Sequence, residues 1–443
     1  MIRTLGRFFS KIAKRFLPDA FLFALILCFL VFALGMIIEG QSFFAMTTYF
    51  GGGMWAFLTF SMQMALIIVT GSALATSKPV KAFLIAVAKL AKTPGQAIVV
   101  VSFFTAMGCW LNWGFGLIIG ALLAKELART VKGIHYPLLV ASAYSGFLIW
   151  HAGLSASIPL KLTGADSIMT QFADGAIISA SQTIFSWQNL LLVAILLITL
   201  PIINRVMLPK DTKEIVEVDP ALFENVKEEK VKDKKDMTPA ERMENSIVLS
   251  LIMSVIGVIY IGLYFVKGGS ISLNIVNFIF LTLGIFLHKT PINYVRAVNE
   301  AVKGCGGVIL QFPFYAGIMG MMIQSGLAQT FSQGFVNISN ATTFPFFAFL
   351  SAGFVNFFVP SGGGQWGVQG PIMIPAAKEL GVSYSTTAMA IAWGDAWTNM
   401  IQPFWALPLL GVAKLNIRDI MGYTTVILLY SGIVISLFMI FVF

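Results

Sequence analysis

Long apolar segments alternate with short polar ones along most of this 443-residue chain. A helix of about 20 apolar residues is long enough to cross a lipid bilayer. Segments of this character are Phe21–Ile38, Met54–Ala75, Trp187–Ile203, Ile247–Phe265, Ile271–Leu287, Gly306–Ile323 and Thr424–Phe443. The strict alternation of polar and apolar positions typical of an outer-membrane barrel is absent. We therefore predict an all-α membrane protein.

Two apolar segments, Ile98–Thr130 and Phe344–Leu380, are too interrupted by glycine and polar residues for one simple crossing. We predict that each is a re-entrant helical hairpin, with its tip at Asn112–Gly116 in the first and at Ser361–Gly367 in the second. Irregular backbone is tolerated at membrane depth only where it is buried in protein or lines a wet cavity. We expect glycine-rich, irregular tips, each followed by a helix N-terminus that favours an anion.

The two hairpins also share sequence. The fifteen residues from Trp113 to Leu127 align with those from Trp366 to Leu380, and seven of the fifteen pairs are identical. The residues before them, Asn112 and Gln365, both carry side-chain amides. Chance similarity or a plain glycine-rich packing motif is the alternative explanation. The Lys-Glu pair shared inside apolar sequence argues against chance.

Each hairpin is followed by another interrupted apolar segment, Tyr144–Pro159 in the first half and Trp393–Pro403 in the second. We predict two discontinuous transmembrane helices, whose broken middles meet the hairpin tips near the bilayer midplane. The two halves would then be inverted-topology repeats, a layout found in many secondary transporters.

Charge fixes the predicted orientation. Charged residues make up 11% of the chain, against about 25% in an average soluble protein. The net charge of +9 lies in loops, so we attribute it to the positive-inside rule and expect no nucleic-acid partner. All Lys and Arg residues except Lys161, Lys267 and Lys378 fall on the cytoplasmic side of a bacterial inner membrane. The N-terminus and central linker are predicted to be cytoplasmic and the C-terminus periplasmic.

The same pattern divides the chain into four parts. They are a basic amphipathic helix on the cytoplasmic interface (1–19), a first membrane repeat (20–204), a charged cytoplasmic linker (205–245) and a second membrane repeat (246–443).

Asp395 is the only acidic residue placed in a broken span, and a carboxylate there is costly enough to indicate function. It could take a proton or help to bind Na⁺; a structural hydrogen bond to Trp397 or Thr398 is the alternative. His151 could relay protons, or it could be a satisfied structural residue. No cofactor is expected beyond a coupling ion, H⁺ or Na⁺, and a metal site stays open.

Neutral donors and aromatic residues near the tips and breaks form the predicted substrate site. The candidates are Asn112, Trp113, Gly114, His151, Ser155, Gly363, Gly364, Gln365, Trp366, Gly367, Thr398 and Asn399. The predicted core contains no arginine. A carboxylate substrate would therefore be held by helix N-termini and neutral donors without a salt bridge, which suits a small monoanion.

These segments resemble the AtoE-type short-chain fatty acid transporter family, within the ion transporter superfamily. The residues that carry the resemblance are Asn112-Trp-Gly-Phe-Gly116, Tyr144–Pro159, Ser361-Gly-Gly-Gly-Gln-Trp-Gly367 and Trp393-Gly-Asp-Ala-Trp-Thr-Asn399. The resemblance implies transport of small carboxylates such as butyrate or acetoacetate, driven by H⁺ or Na⁺. It also implies a homodimer, a scaffold, a mobile transport domain and elevator-type alternating access.

Three other functions remain as alternatives. The substrate could be another small organic acid or an amino-acid derivative. An intramembrane enzyme could use His151 or Asp395, but the sequence contains neither HExxH nor GxSxG. A channel could also contain inverted repeats, although paired hairpins with broken helices suit alternating access better.

Overall fold

The computed structural model describes residues 2–16, 19–164, 167–218, 237–269 and 273–443, which form helices and loops without a strand among them. The α-helices of the described residues are α1 (Ile2–Phe16), α2 (Ala20–Ile37), α3 (Phe43–Gly53), α4 (Leu58–Thr76), α5 (Lys78–Ala88), α6 (Pro94–Leu111), α7 (Trp113–Thr130), α8 (Tyr136–Ser145), α9 (Ser157–Lys161), α10 (Ser167–Phe172), α11 (Trp187–Val206), α12 (Pro239–Glu244), α13 (Ile247–Val266), α14 (Leu273–His288), α15 (Pro291–Val302), α16 (Gly306–Gln324), α17 (Leu327–Asn337), α18 (Phe344–Asn356), α19 (Gly362–Leu380), α20 (Tyr384–Thr398), α21 (Pro403–Ala413) and α22 (Ile417–Phe441). Short 3₁₀ helices cover Gly146–Ala152, Ala180–Gln182 and Thr212–Glu214. Part of the predicted linker, residues 219–236, and the first two residues of the predicted span Ile271–Leu287 lie outside the described residues.

Within the described ranges, seven segments are long and apolar enough to cross a membrane. They are α4, α6, the interrupted segment Tyr136–Lys161, α11, α13, α16 and α22, and α2 gives an eighth when it is counted together with α1. Their bounds lie within four residues of the uninterrupted apolar segments read from the sequence, except that α22 begins seven residues before Thr424. The prediction of an all-helical membrane protein is confirmed.

The first predicted hairpin is the helix pair α6–α7, and its two helices are in close contact at a glycine. A Cβ placed on Gly116 would lie 2.2 Å from the backbone nitrogen of Cys109, so only glycine allows this approach. The second is the pair α18–α19, where the Gln365 amide donates to the carbonyl of Ala352 at 2.7 Å.

The prediction that the hairpin tips have irregular backbone is wrong. Helix α7 begins directly after Asn112 and α19 directly after Ser361, so the glycine-rich residues are helical. None of the glycines in these two described segments has a positive φ. The physical reason is capping, because the Asn112 and Ser361 side chains each accept a hydrogen bond from the first turn. Pro371 lies in the middle of α19, so this helix begins well before it.

The two interrupted segments are broken where polar residues and glycine predicted a break. Helix α8 passes into the 3₁₀ helix Gly146–Ala152 and resumes as α9, and α20 ends at Thr398 before α21 begins at Pro403. The Tyr144 hydroxyl donates to the carbonyl of Asn399 at 2.6 Å. This bond joins the end of α8 to the break between α20 and α21, so the two halves meet there.

Each broken helix also packs tightly on the hairpin of its own half. A Cβ on Gly146 would lie 2.5 Å from the nitrogen of Ala106 in α6. A Cβ on Gly394 would lie 2.3 Å from the carbonyl oxygen of Phe349 in α18. Glycine at these two positions therefore sets the distance between hairpin and broken helix.

The N-terminal amphipathic helix α1 packs against α22. A Cβ on Gly422 would lie 2.2 Å from the Cα of Ser10, so the helices touch backbone to backbone. Arg7 pairs with Glu214 at 2.8 Å, while Phe8 and Phe16 stay exposed. Helix α1 thus docks through its small residues and turns Phe8 and Phe16 outward.

Candidate functional site

A cavity of about 320 Å³ lies where the two hairpin tips meet. Its lining residues are Phe60, Asn112, Trp113, Trp150, Ser155, Ser157, Ser361, Gly362, Gly363 and Trp405. They come from α4, the starts of α7 and α19, the first break and α21. A second cavity, of about 290 Å³, lies among hydroxyl and amide side chains of the loops near Ser181 and Ser383 and holds none of the predicted site residues.

At the first tip, the early backbone donors of α7 are mostly paired. Asn112 Oδ1 accepts from the backbone N–H of Phe115 at 3.0 Å. The backbone N–H of Trp113 donates to Ser155 Oγ at 3.0 Å, which ties the tip to the first break. This tip is therefore held mainly by its own hydrogen bonds.

At the second tip, fewer early donors are paired. Ser361 Oγ accepts from the N–H of Gly364 at 3.2 Å. Among the described residues, the N–H groups of Gly362 and Gly363 have no acceptor. They stand at the positive end of a 19-residue helix, which favours negative charge. A Cβ placed on Gly363 would lie 3.5 Å from the Nζ of Lys161.

Aromatic side chains form another wall of the cavity. The ring of Trp405 lies 5.1 Å from that of Trp113, 5.7 Å from that of Trp150 and 5.9 Å from that of Phe60. We call these four residues the aromatic wall. The indole N–H groups of Trp150 and Trp405 are buried and have no partner in the described part of the chain. Buried donors of this kind normally find an acceptor.

Behind the cavity lies a buried pair, Asp395 and His151. Asp395 Oδ1 is 3.4 Å from His151 Nδ1, and Asp395 Oδ2 has no hydrogen-bond partner among the described residues. The backbone N–H of Ile158 donates to His151 Nε2 at 3.1 Å. Since Nε2 accepts, Nδ1 carries the proton of the neutral imidazole and faces the carboxylate.

The other polar residues of the second break bind Asn356, on α18. Its Nδ2 donates to the carbonyl of Asp395 at 2.9 Å, to Thr398 Oγ1 at 3.0 Å and to Asn399 Oδ1 at 2.8 Å. An amide has two protons, so these three acceptors share them. Thr398 and Asn399 therefore fix the break against the hairpin and do not line the cavity.

The structure thus divides the predicted substrate site. Asn112, Trp113, Ser155 and Gly363 line the cavity. The remaining candidates do not line it: Gly114, His151, Gly364, Gln365, Trp366, Gly367, Thr398 and Asn399. Gln365, for example, turns toward its own hairpin, bonding Ala352 and Gln369. Their roles in transport stay predictions.

Sequence reasoning did not select Phe60, Trp405 or Lys161. Phe60 and Trp405 lie on ordinary apolar helices, and no local motif distinguishes them from other aromatic residues. Lys161 had been assigned to an external loop, yet it ends α9, four residues after the cavity residue Ser157. Spacing within the Tyr144–Pro159 segment could have drawn attention to it.

Known proteins match this chain along almost its whole length. The sequence model of the family described as "Short chain fatty acid transporter" matches residues 1–442. An Escherichia coli K12 protein named "Putative short-chain fatty acid transporter" is 44% identical over 435 residues, 98% of each chain. A Haemophilus influenzae protein with the same name is 43% identical over 438 residues, again 98% of each. The solved Alcanivorax borkumensis YdaH transporter is 15% identical and aligns over 95% of this chain and 98% of its own, with a TM-score of 0.46.

Proposed function

Since the chain belongs to the short-chain fatty acid transporter family, we propose that it is a secondary active transporter of small monocarboxylates such as butyrate or acetoacetate. The family and its curated relatives are transporters, which agrees with the prediction that the chain is not an enzyme. The relatives are bacterial, and we place the protein in the inner membrane with its N-terminus and linker cytoplasmic and its C-terminus periplasmic.

The observation that carries the substrate proposal is the cavity between the two hairpin tips. Its volume of about 320 Å³ is near the lower end of ligand pockets, about 300 Å³, which suits a small substrate. It offers the backbone N–H groups of Gly362 and Gly363, which no described residue accepts, for a carboxylate and the aromatic wall for a short acyl chain.

We propose that Asp395 takes up the coupling proton and that His151 orients it. The support is Asp395 Oδ2, which is fully buried and has no hydrogen-bond partner among the described residues, because negative charge on an unpaired buried oxygen is unfavourable. A proton on Oδ2 would remove that buried charge. Na⁺ as the coupling ion is the competing outcome of the transport experiment below.

We further propose inverted repeats that work by elevator-type alternating access in a homodimer. The support is that each half contains a helix pair followed by a broken helix packed on it through glycine, with the two breaks joined by Tyr144 and Asn399. The helix pairs would then be re-entrant hairpins that reach the cavity from opposite sides. Reporter fusions at each loop would test the opposite orientation, and chemical cross-linking in membranes would test the dimer.

The test of function is uptake of labelled butyrate by the full chain in proteoliposomes. A pH gradient and a Na⁺ gradient are imposed separately, with protein-free liposomes as the control. We expect saturable uptake, counterflow and acceleration by an inward proton gradient. Uptake without saturation or counterflow would indicate a channel. Saturable uptake of an amino-acid derivative alone would show that this derivative, and not a monocarboxylate, is the substrate. Absence of saturable uptake of any monocarboxylate would contradict the proposal.

A further inference from the structure

We infer that Lys161 recognises the carboxylate of the substrate at the mouth of the cavity and so directs the acyl chain toward the aromatic wall. This assignment rests on the proposed function and names the residue that sets its specificity for anions. It replaces the expectation, drawn from the sequence, that the anion is held without a cationic side chain.

The placement of Lys161 follows from the first break. Helix α9 begins at Ser157, which lines the cavity, and Lys161 lies four residues later on the same face of the helix. Its Nζ would lie 3.5 Å from a Cβ on Gly363, another lining residue. The ammonium group is therefore beside the cavity although the lysine stem is exposed.

The surroundings of this ammonium favour an anion. Among the described residues Lys161 has no acidic partner, whereas Lys378 pairs with Asp174 at 2.8 Å. A cation beside a helix N-terminus is unfavourable, because both carry positive charge. The N–H groups of Gly362 and Gly363, which have no acceptor among the described residues, and the Lys161 ammonium therefore lie close together, and all of them favour negative charge. A carboxylate between them would satisfy all three donors with charge-assisted hydrogen bonds.

The aromatic wall makes one side of the cavity apolar. Phe60, Trp113 and Trp405 offer ring surfaces without charge, so a second carboxylate there would lose its hydration without a partner. The indole N–H groups of Trp150 and Trp405, which are buried and have no partner in the described ranges, offer single neutral donors, which suit a water or a keto oxygen. The ligand that matches both ends is a short monocarboxylate, bound in one orientation.

The experiment measures the KM and Vmax of butyrate uptake in proteoliposomes for the wild type, Lys161→Met and Lys161→Arg. Lys267→Met is the matched control, because Lys267 is an exposed lysine at the end of α13 that does not line the cavity. We expect Lys161→Met to raise KM about tenfold, the usual effect of losing a hydrogen bond to a charged group, with a smaller change in Vmax. Lys161→Arg should recover most of the affinity, and Lys267→Met should match the wild type.

Competition by butyramide, a neutral analogue of butyrate, separates recognition from general damage. In the wild type, butyrate should compete for uptake far better than butyramide, and in Lys161→Met the two should approach each other. Size-exclusion profiles and tryptophan fluorescence establish that each variant is folded, and a misfolded Lys161→Met is replaced by Lys161→Gln. An unchanged KM and an unchanged preference for butyrate in the folded variant would overturn the role of Lys161 alone. Absence of saturable uptake by the wild type would instead overturn the proposed function, and the Lys161 assignment with it.

Discussion

Polar residues only a few positions apart at the second break differ in whether they have hydrogen-bond partners. Asp395 is fully buried and one of its oxygens has no partner in the described part of the chain, whereas Thr398 and Asn399, at the same break, accept hydrogen bonds from Asn356. The sequence could identify Asp395 because an acidic residue in an apolar span is rare. It could not show that Thr398 and Asn399 fix the break to the hairpin, because their shared partner, Asn356, lies some forty positions away along the chain.

We predict that Asp395→Asn separates binding from coupling. The amide preserves size and hydrogen bonding but cannot take up a proton, so counterflow of butyrate should continue while acceleration by a proton gradient is lost. Both are measured in the same proteoliposomes. Asp174→Asn is the control, because Asp174 is exposed and pairs with Lys378. Full gradient-driven uptake in Asp395→Asn would remove this carboxylate from the coupling mechanism.

At the scale of helices, apolar length predicted the spans well, because a bilayer imposes a minimum length that sequence displays directly. The shorter helices α3, α5, α15 and α17 were missed; each has 11 or 12 residues and lies where the sequence suggested connecting loops. The tips were mispredicted for a different reason. Glycine can adopt a positive φ in a turn, and it can also allow close contact between two helices. Tertiary packing determines which of the two occurs.

We predict that Gly116→Ala destabilises the α6–α7 pair, because the new methyl group would meet the backbone nitrogen of Cys109 at 2.2 Å. Overpacking of this kind costs about 1–3 kcal/mol, and a backbone contact should give the upper end of that range. Gly334→Ala is the control, because a Cβ there meets nothing within 4 Å and should stabilise α17 by about 0.5–1 kcal/mol. Thermal unfolding in detergent measures both; equal melting temperatures would show that the hairpin relaxes freely.

At the scale of the whole molecule, a few contacts join segments that are remote in sequence. His135, just before the span that begins at Tyr136, accepts a hydrogen bond from the N–H of Val216 at Nδ1, 2.9 Å away. Its Nε2 lies 2.7 Å from the hydroxyl of Tyr423, in α22. This one imidazole therefore ties the start of the first broken helix to the beginning of the linker and to the last helix. Nothing local in the sequence marks it, because all its partners are distant.

We predict that acid weakens the contacts that His135 makes with Val216 and Tyr423. Burial, together with the charge of Lys14, lowers the pKa of His135 from its usual 6.5 to about 4. Between those values the unfolded chain binds more protons than the folded one, so stability is lost as the pH falls through that window. The loss at pH 5 should be about 2 kcal/mol. His135→Gln cannot titrate and should show a smaller drop in melting temperature between pH 7 and pH 5; an identical drop in both proteins would refute the assignment.

The hydrogen bond from Ile158 to His151 also links the buried carboxylate to the entrance of the cavity. One nitrogen of the imidazole, Nδ1, lies 3.4 Å from Asp395 Oδ1, while the other, Nε2, accepts from the first turn of α9. That turn carries Ser157 and leads to Lys161. Any rotation of this one ring would therefore disturb both ends of the path at once.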